Sequence, residues 1–389
     1  HFESFIQLFK HMPISIGLIT GKECRKFPSK LAGTALAPNG WTHISRSQLT
    51  KWVKNGEIAI VIGTHALIQK NVAFKHLGLV VIDEQHRFGT NQRQKLARKH
   101  DVTPHLLSMT ATPIPRTLAL TLYGDLDLSV IEQMPSGRKP IITKIIKPEG
   151  LAAAYEHMRE QIREGRQAYV ICPRIDEPDE DPVLPGMKYV DAETKQMKSV
   201  IGEAKRLNKE VFPEYKIGIL HGKMKPALKE EVMNAFLDKK IHILVATSVV
   251  EVGVNVPNAT VILIEHADRY GLSQLHQLRG RVIRGNHQAY CYLATDTSSD
   301  KSIERLKAIE SAKNGFELAE LDLKIRGIGE LYAGKQWGVT DIAMDAIQNL
   351  KMVEAARKEA KDIVSEGIDL KDYPLLQKQL ETQEEIHFE

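Results

Sequence analysis

The residues best equipped for chemistry lie at 80–87, VVIDEQHR, where an apolar run ends on the adjacent carboxylates of Asp83 and Glu84. Two carboxylates delivered at the C-terminal end of a buried strand suit a Mg²⁺-nucleotide site. The first can bind the metal through water, and the second can orient or deprotonate the attacking water. The same pair also fits a strand end followed by a charged helix start; Gln85 and His86 directly behind it tip the reading toward chemistry. A second stretch, 108–118 (SMTATPIPRTL), places Thr110 and Thr112 at another strand end, with Pro113 and Pro115 forcing a rigid turn. Thr110 lies 27 residues beyond Asp83, and hydroxyls there can bond the acidic pair and couple it to movement.

Two further stretches carry polar groups at strand or helix ends. Residues 244–259 (LVATSVVEVGVNVPNA) read as a buried strand, then hydroxyls, then Glu251, Gly253 and Asn255. Residues 274–285 (QLHQLRGRVIRG) hold Arg279, Arg281 and Arg284 within six positions. Arginines at that density can clamp phosphates bidentately and supply charge at a transition state. Taken alone, the stretch reads more readily as a basic exposed helix.

Alternating short apolar runs and amphipathic helices must position these groups, which is the pattern of parallel α/β domains. Strands are expected at 59–63, 77–83 and 105–110, then at 167–172, 216–221, 241–247, 261–265 and 289–294. A helix before Gly56 carries Leu49, Trp52 and Val53 at helical spacing, and Asn55-Gly56 stops it. Pro226 opens a helix with Leu228, Val232, Ala235 and Phe236 on one face. Segment 21–40 has no period and reads as a surface loop, the proline-rich 134–148 as a linker, and the acidic 176–182 as a solvated loop. Beyond about residue 300 the strands give way to helix, including a long amphipathic one ending at Gly367. The expected division is two α/β lobes, 1–138 and 139–300, and a helical module, 301–389.

Composition narrows the class. With 389 residues, 42% hydrophobic and 26% charged, the chain can build real cores. Aromatics at 6% argue against recognition by many stacking platforms, and a net charge of +4 neither demands nor forbids a polyanion. Three distant cysteines, Cys24, Cys172 and Cys291, offer no metal spacing or disulfide framework, so a reducing interior is expected. No run approaches the roughly 18 apolar residues that span a bilayer.

Together these stretches resemble, in order, the successive motifs of superfamily 2 helicases. IDEQHRFG, TATPIPRTLALTLYGDLDLSVIEQMPSGRKP, LHGKMKP and QLHQLRGRV are similar to the RecG family of bacterial ATP-dependent branched-DNA helicases. The resemblance implies two RecA-like parallel-sheet lobes, the first truncated, and a helical C-terminal module. It implies ATP and Mg²⁺ as cofactors and branched double-stranded DNA as partner, worked on by a monomer in the bacterial cytoplasm during repair and recombination. Asp83 would coordinate Mg²⁺, Glu84 would be the water-activating base, and Gln85 and His86 would link hydrolysis to DNA. Gly253, Asn255 and Gln277 would line the nucleotide, and Arg281 and Arg284 would reach its γ-phosphate. Gly63-Thr64-His65 would contact the DNA backbone. Thr110 and Thr112 would couple nucleotide to motion. Residues 315–338 (GFELAELDLKIRGIGELYAGKQWG) resemble the translocation motif shared with the transcription-repair coupling factor Mfd, with Arg326 and Gln336 at its functional positions. An Mfd-like translocase and a non-catalytic DNA-binding module are the alternatives.

Three departures accompany the resemblance. No phosphate-cradling G-x-x-x-x-G-K-[ST] loop is present: GLITGK at 17–22 is one residue short and precedes Glu23, and GELYAGK at 329–335 precedes Gln336. With His1 rather than Met in first place, the chain is expected to be a piece of a longer protein, lacking that loop and an amino-terminal DNA-wedge domain. Ile283 and Asn255 stand where the family pattern has Gly and Asp. The chain by itself is therefore expected to turn over negligible ATP.

Overall fold

The computed structural model of the chain describes residues 1–30, 39–69, 72–84, 104–110, 127, 129–131, 137–173, 199–247, 256–282, 285–312, 314–326, 350–367 and 369–382. The chain divides into two compact units, His1–Ala111 with Asp369–Glu389, and Thr112–Ile368.

In the first unit, helix α1 (Phe2–Phe9) leads into β1 (Ile16–Ile19), β2 (Cys24–Phe27) and β3 (Thr42–His43); α2 (Arg46–Asn55) and β4 (Ile60–Gly63) follow. The sheet order is β3-β2-β1-β4, with β1 parallel to β4 and antiparallel to β2. One face packs Ile19, Leu49, Val53 and Ile58, and the other packs Phe2, Ile6 and Ile16. Ser45 caps α2 by accepting the Gln48 N–H, and Gly56 ends it with φ +79° and its own N–H on the Trp52 and Val53 carbonyls. The stop at Asn55-Gly56 is thus a left-handed glycine cap. A separate parallel pair, β5 (Leu79–Ile82) and β6 (His105–Ser108), runs in register from Leu79↔His105 to Ile82↔Ser108.

Segment 21–40 is not wholly loop, because β2 lies within it. Periodicity is masked there by Arg25 and Lys26, whose cationic groups sit over aromatic rings. The Arg25 guanidinium sits 4.1 Å from the Trp41 ring centroid and the Lys26 ammonium 5.6 Å from that of Trp52.

Gly63 closes β4 at a point of close backbone approach. A Cβ there would stand 2.3 Å from the Ile19 carbonyl oxygen and 2.8 Å from Leu67 Cγ. Gly63→Ala is therefore expected to destabilise the first unit by about 1–3 kcal/mol. A thermal midpoint equal to that of the parent chain would show that β1 and β4 separate at no cost.

The second unit is built on an all-parallel sheet, ordered β7-β12-β11-β8-β10-β9. Its strands are β7 (Ile142–Ile146), β8 (Gln167–Ile171), β9 (Ile217–Leu220), β10 (Ile243–Ala246), β11 (Ala259–Ile264) and β12 (Tyr290–Ala294). The central β8, β10 and β11 are buried along their whole length, as strands covered on both faces must be. Helices α3 (Leu151–Arg163) and α4 (Val200–Arg206) cover the face bearing Ala168, Val170, Ile243 and Val245. Tyr169, Ile171, Leu244 and Ile262 point the other way, into a core shared with α5 (Pro226–Leu237), α6 (Leu272–Arg279), α7 (Asp300–Ser311) and α8 (Gly315–Arg326). Each such fully buried aliphatic side chain contributes roughly 1.5–3 kcal/mol. Proline opens α5 as expected, with Phe236 buried, but Leu228 in its first turn is 46% exposed and so does not share the buried face.

The linker reading of 134–148 is also corrected, since β7 lies inside it and pairs with β12 from Tyr290↔Ile142 to Ala294↔Ile146. An edge strand tolerates flanking prolines such as Pro140 and Pro148, so those prolines bracket a strand instead of excluding one. Helix α9 (Leu350–Ser365) is followed by Gly367 at φ +64°, and α10 is Pro374–Thr382. Among the described residues, no helix is long and apolar enough to cross a membrane.

Candidate nucleotide and DNA site

In the first unit the parallel pairing of β5 and β6 fixes which groups meet. The ladder extends by a bond from the Met109 N–H to the Ile82 carbonyl at 2.8 Å, so Asp83-Glu84 and Met109-Thr110 leave the sheet side by side. Asp83, Glu84 and Thr110 thus lie at the same end of the β5–β6 pair. Asp83 is 46% exposed; its Oδ1 accepts the Glu84 N–H at 2.9 Å and its Oδ2 lies 3.0 Å from His1 Nε2. Glu84 takes φ +53°, a left-handed conformation that costs a non-glycine residue roughly 1–2 kcal/mol. Strain of this kind gathers at functional sites, where surrounding structure enforces it. A hard, oxygen-preferring cation such as Mg²⁺ fits an exposed carboxylate at a strand end, held in orientation by its neighbour's amide.

Gly63-Thr64-His65 leave the four-stranded sheet at the end of β4. Thr64 is extended and precedes a single 3₁₀ turn, His65–Leu67, whose Ala66 is buried while Thr64 and His65 face solvent. GLITGK runs along β1 into a tight turn, where Thr20 Oγ1 accepts the Lys22 and Glu23 N–H groups at 3.3 and 3.1 Å. An antiparallel strand follows, not the helix N-terminus that a phosphate loop requires.

In the second unit, α6 presents Leu272, Leu275 and Leu278 to the core. Arg279 continues that stripe, seven residues after Leu272, and is 4% exposed. Its Nη1 donates to the Ile309 carbonyl at 2.6 Å and to the Ala312 carbonyl at 3.5 Å, while Nη2 lies 3.2 Å from His276 Nδ1. Arg279 therefore leaves the arginine cluster read as a phosphate clamp, because its guanidinium is spent inside the fold. The i, i+3, i+7 spacing from Leu272 was the signal in the sequence. Gln277 is half-buried, and Arg281, just past the helix, is 9% exposed.

Burial and then the charge of Arg279 push the His276 imidazole down to about 4. The unfolded chain protonates His276 first, so stability is complete above the ordinary value near 6.5 and drains as pH falls toward 4. The loss is at most about 3 kcal/mol. Comparing thermal midpoints of the parent chain and His276→Asn from pH 7 to pH 4 checks this. The two curves should converge on acidification; a constant separation would contradict it. Burial also drives the Cys291 thiol up to about 12 against the opposing pull of Arg279, so that thiol stays protonated and inert.

A DEAD/DEAH box helicase family model matches residues 19–121, and a helicase conserved C-terminal domain model matches residues 153–286. The ATP-dependent DNA helicase RecG of Synechocystis sp. is 42% identical over 96% of the chain and 41% of its own length. The RecG of Thermotoga maritima is 41% identical over 95% of the chain and 43% of its own length. A solved structure of RecG bound to a three-way DNA junction superposes with a TM-score of 0.62 at 37% identity, covering 91% of this chain and 41% of that one. The chain belongs to the RecG helicase family. It spans less than half the length of these relatives.

Family membership and the parallel sheets agree on the fold class, RecA-like α/β lobes with helices after them. Helices α7 and α8 lie against the second sheet's core through Leu306, Ile309 and Leu318. Of the remaining site residues, Gln85, His86, Thr112, Gly253, Asn255, Arg284 and Gln336, with the departure Ile283, lie outside the described residues, as does 176–182. Arg326 is the last residue of α8.

Proposed function

We propose that this chain supplies the motor lobes of an ATP-dependent double-stranded DNA translocase. It would remodel branched DNA, such as stalled forks and Holliday junctions, in repair and recombination, as a monomer in the bacterial cytoplasm. The observation that carries this reading is the β5–β6 pairing, which sets Asp83, Glu84 and Thr110 at one sheet edge. Relatives named ATP-dependent DNA helicase and a relative solved on a three-way junction support the same reading.

Asp83 is assigned to hold Mg²⁺ and Glu84 to take the proton of the attacking water. Mg²⁺ held there would supply positive charge to offset the charge that develops on the phosphates. Gln85 and His86 pass the state of the nucleotide toward DNA, and Thr110 and Thr112 couple it to motion. Gly253, Asn255 and Gln277 line the nucleotide, and Arg281 and Arg284 meet its γ-phosphate. Gly63, Thr64 and His65 meet the DNA backbone, where an exposed turn at a strand end offers polar groups. Arg326 and Gln336 engage the moving duplex. The division into 1–138, 139–300 and 301–389 is the corresponding assignment of parts.

The 389 residues alone, without a G-x-x-x-x-G-K-[ST] loop, are expected to hydrolyse negligible ATP and to bind DNA weakly. With two or three phosphates neutralised, Kd should rise roughly 10- to 40-fold between about 50 and 200 mM salt. Titrating labelled junction DNA at both salt concentrations checks the second point, and a salt-independent Kd would contradict it. The function itself is tested with a polypeptide extended upstream to the length of the relatives. ATP hydrolysis that rises sharply on adding three-way junction DNA supports it. An intact phosphate loop with no DNA response would refute it.

A further inference from the structure

Arg279 keeps a charge where the core around it is apolar. Its neighbours on α6, Leu275 and Leu278, are fully buried, and so is Cys291 beside it. Among the described residues its hydrogen-bond partners are two carbonyls and an imidazole, and its Nε meets no acceptor. Apolar side chains of similar volume usually fill such a place at lower cost than a buried ion. The two carbonyls explain the charge. Ile309 is in the last turn of α7 and Ala312 is its C-cap, where helix carbonyls lack intrahelical partners and the dipole is negative. The fork of Arg279 therefore grips a helix end, and it does so from a helix that packs on both α7 and α8.

The positions on either side of this grip are the ones assigned to the motor. Gln277 precedes Arg279 by two residues and Arg281 follows it by two, while α8, beginning three residues after Ala312, ends on Arg326. We propose that Arg279 is a positioning residue, the joint that passes displacement of the Gln277–Arg281 segment to the α7–α8 helix pair. This rests on the reading above that Gln277 and Arg281 face the nucleotide. A joint made of two carbonyl bonds and one imidazole contact fixes both distance and orientation, which an apolar contact between two helices does not. His276 completes it by accepting from Nη2, so the guanidinium plane is set from α6 as well as from α7.

The test uses the full-length protein and reads base pairs of three-way junction unwound per ATP hydrolysed. That ratio is indifferent to how much of a variant is folded, because misfolded molecules contribute to neither quantity. Arg279→Gln is expected to lower the ratio at least 5-fold while KM for ATP stays within 2-fold, since Arg279 is not assigned to the nucleotide. Arg279→Lys, which keeps a cation able to reach one carbonyl, should recover part of the loss. A ratio unchanged within 2-fold in Arg279→Gln would overturn the joint, even if specific activity or thermal stability fell. Wild-type protein that hydrolyses no ATP on junction DNA would instead overturn the motor reading on which the joint depends.

Discussion

Glu84→Gln is expected to lower DNA-stimulated ATP hydrolysis about 10²- to 10⁴-fold in a polypeptide that carries the phosphate loop. The substitution preserves shape and hydrogen-bonding length while removing the group that can accept a proton. Asp83 keeps its orientation, because the bond it accepts comes from the backbone N–H of residue 84 and not from the side chain. Binding of Mg²⁺-ATP and of DNA should therefore survive, and the loss should appear in kcat. Glu84→Gly separates this chemical role from a structural one. Glycine adopts the left-handed φ of +53° without penalty, so folded stability should rise by about 1 kcal/mol while turnover is lost as fully. A Glu84→Gly chain that is less stable than its parent would show that the carboxylate holds the fold. Stopped-flow phosphate release and thermal melts of the same preparations give both readings.

Arg281→Ala is expected to cost about 10³- to 10⁵-fold in turnover, the range associated with an arginine that stabilises a phosphoryl-transfer transition state. Interaction with charge that develops only as the γ-phosphate departs raises kcat more than it tightens ATP, so KM should change far less. Arg281→Lys should not restore the rate, because a point charge does not reproduce the planar two-donor fork. The neighbouring Arg279 gives an internal comparison. Its guanidinium is committed to the Ile309 and Ala312 carbonyls, so its loss should uncouple or destabilise without the full loss of hydrolysis. Equal effects on hydrolysis from Arg279→Ala and Arg281→Ala would contradict the division of labour between two arginines two positions apart.

Much of this was legible in the chain because parallel sheets write themselves as continuous apolar runs. The buried strands β8, β10 and β11 and the carboxylate-tipped β5 all read directly from sequence. Elements whose strand character depends on neighbours were hidden. In β2, Arg25 and Lys26 occupy positions a pattern search expects to be apolar, and the rings that receive their cationic groups come from distant positions, Trp41 and Trp52. In β7, half-polar edge residues between two prolines look like a linker until β12 pairs with them. Arg279 was misgrouped because a run of arginines invites a common explanation, although its phase with Leu272 and Leu275 places it inside. The adjacency of Asp83 and Glu84 to Thr110 could be expected from spacing, but the register Ile82↔Ser108 is what makes it a shared edge. The left-handed backbone at Glu84 has no signature in sequence, since glutamate rarely adopts it.

The most direct measurement is unwinding of a fluorescently labelled three-way DNA junction by the protein extended to its relatives' length, followed with ATP, with a non-hydrolysable analogue, and with Glu84→Gln. Strand separation should require hydrolysable ATP and should vanish in Glu84→Gln while that variant still binds the junction. Separation that proceeds equally with the analogue, or equally in Glu84→Gln, would contradict an ATP-driven motor built on Asp83, Glu84 and Thr110.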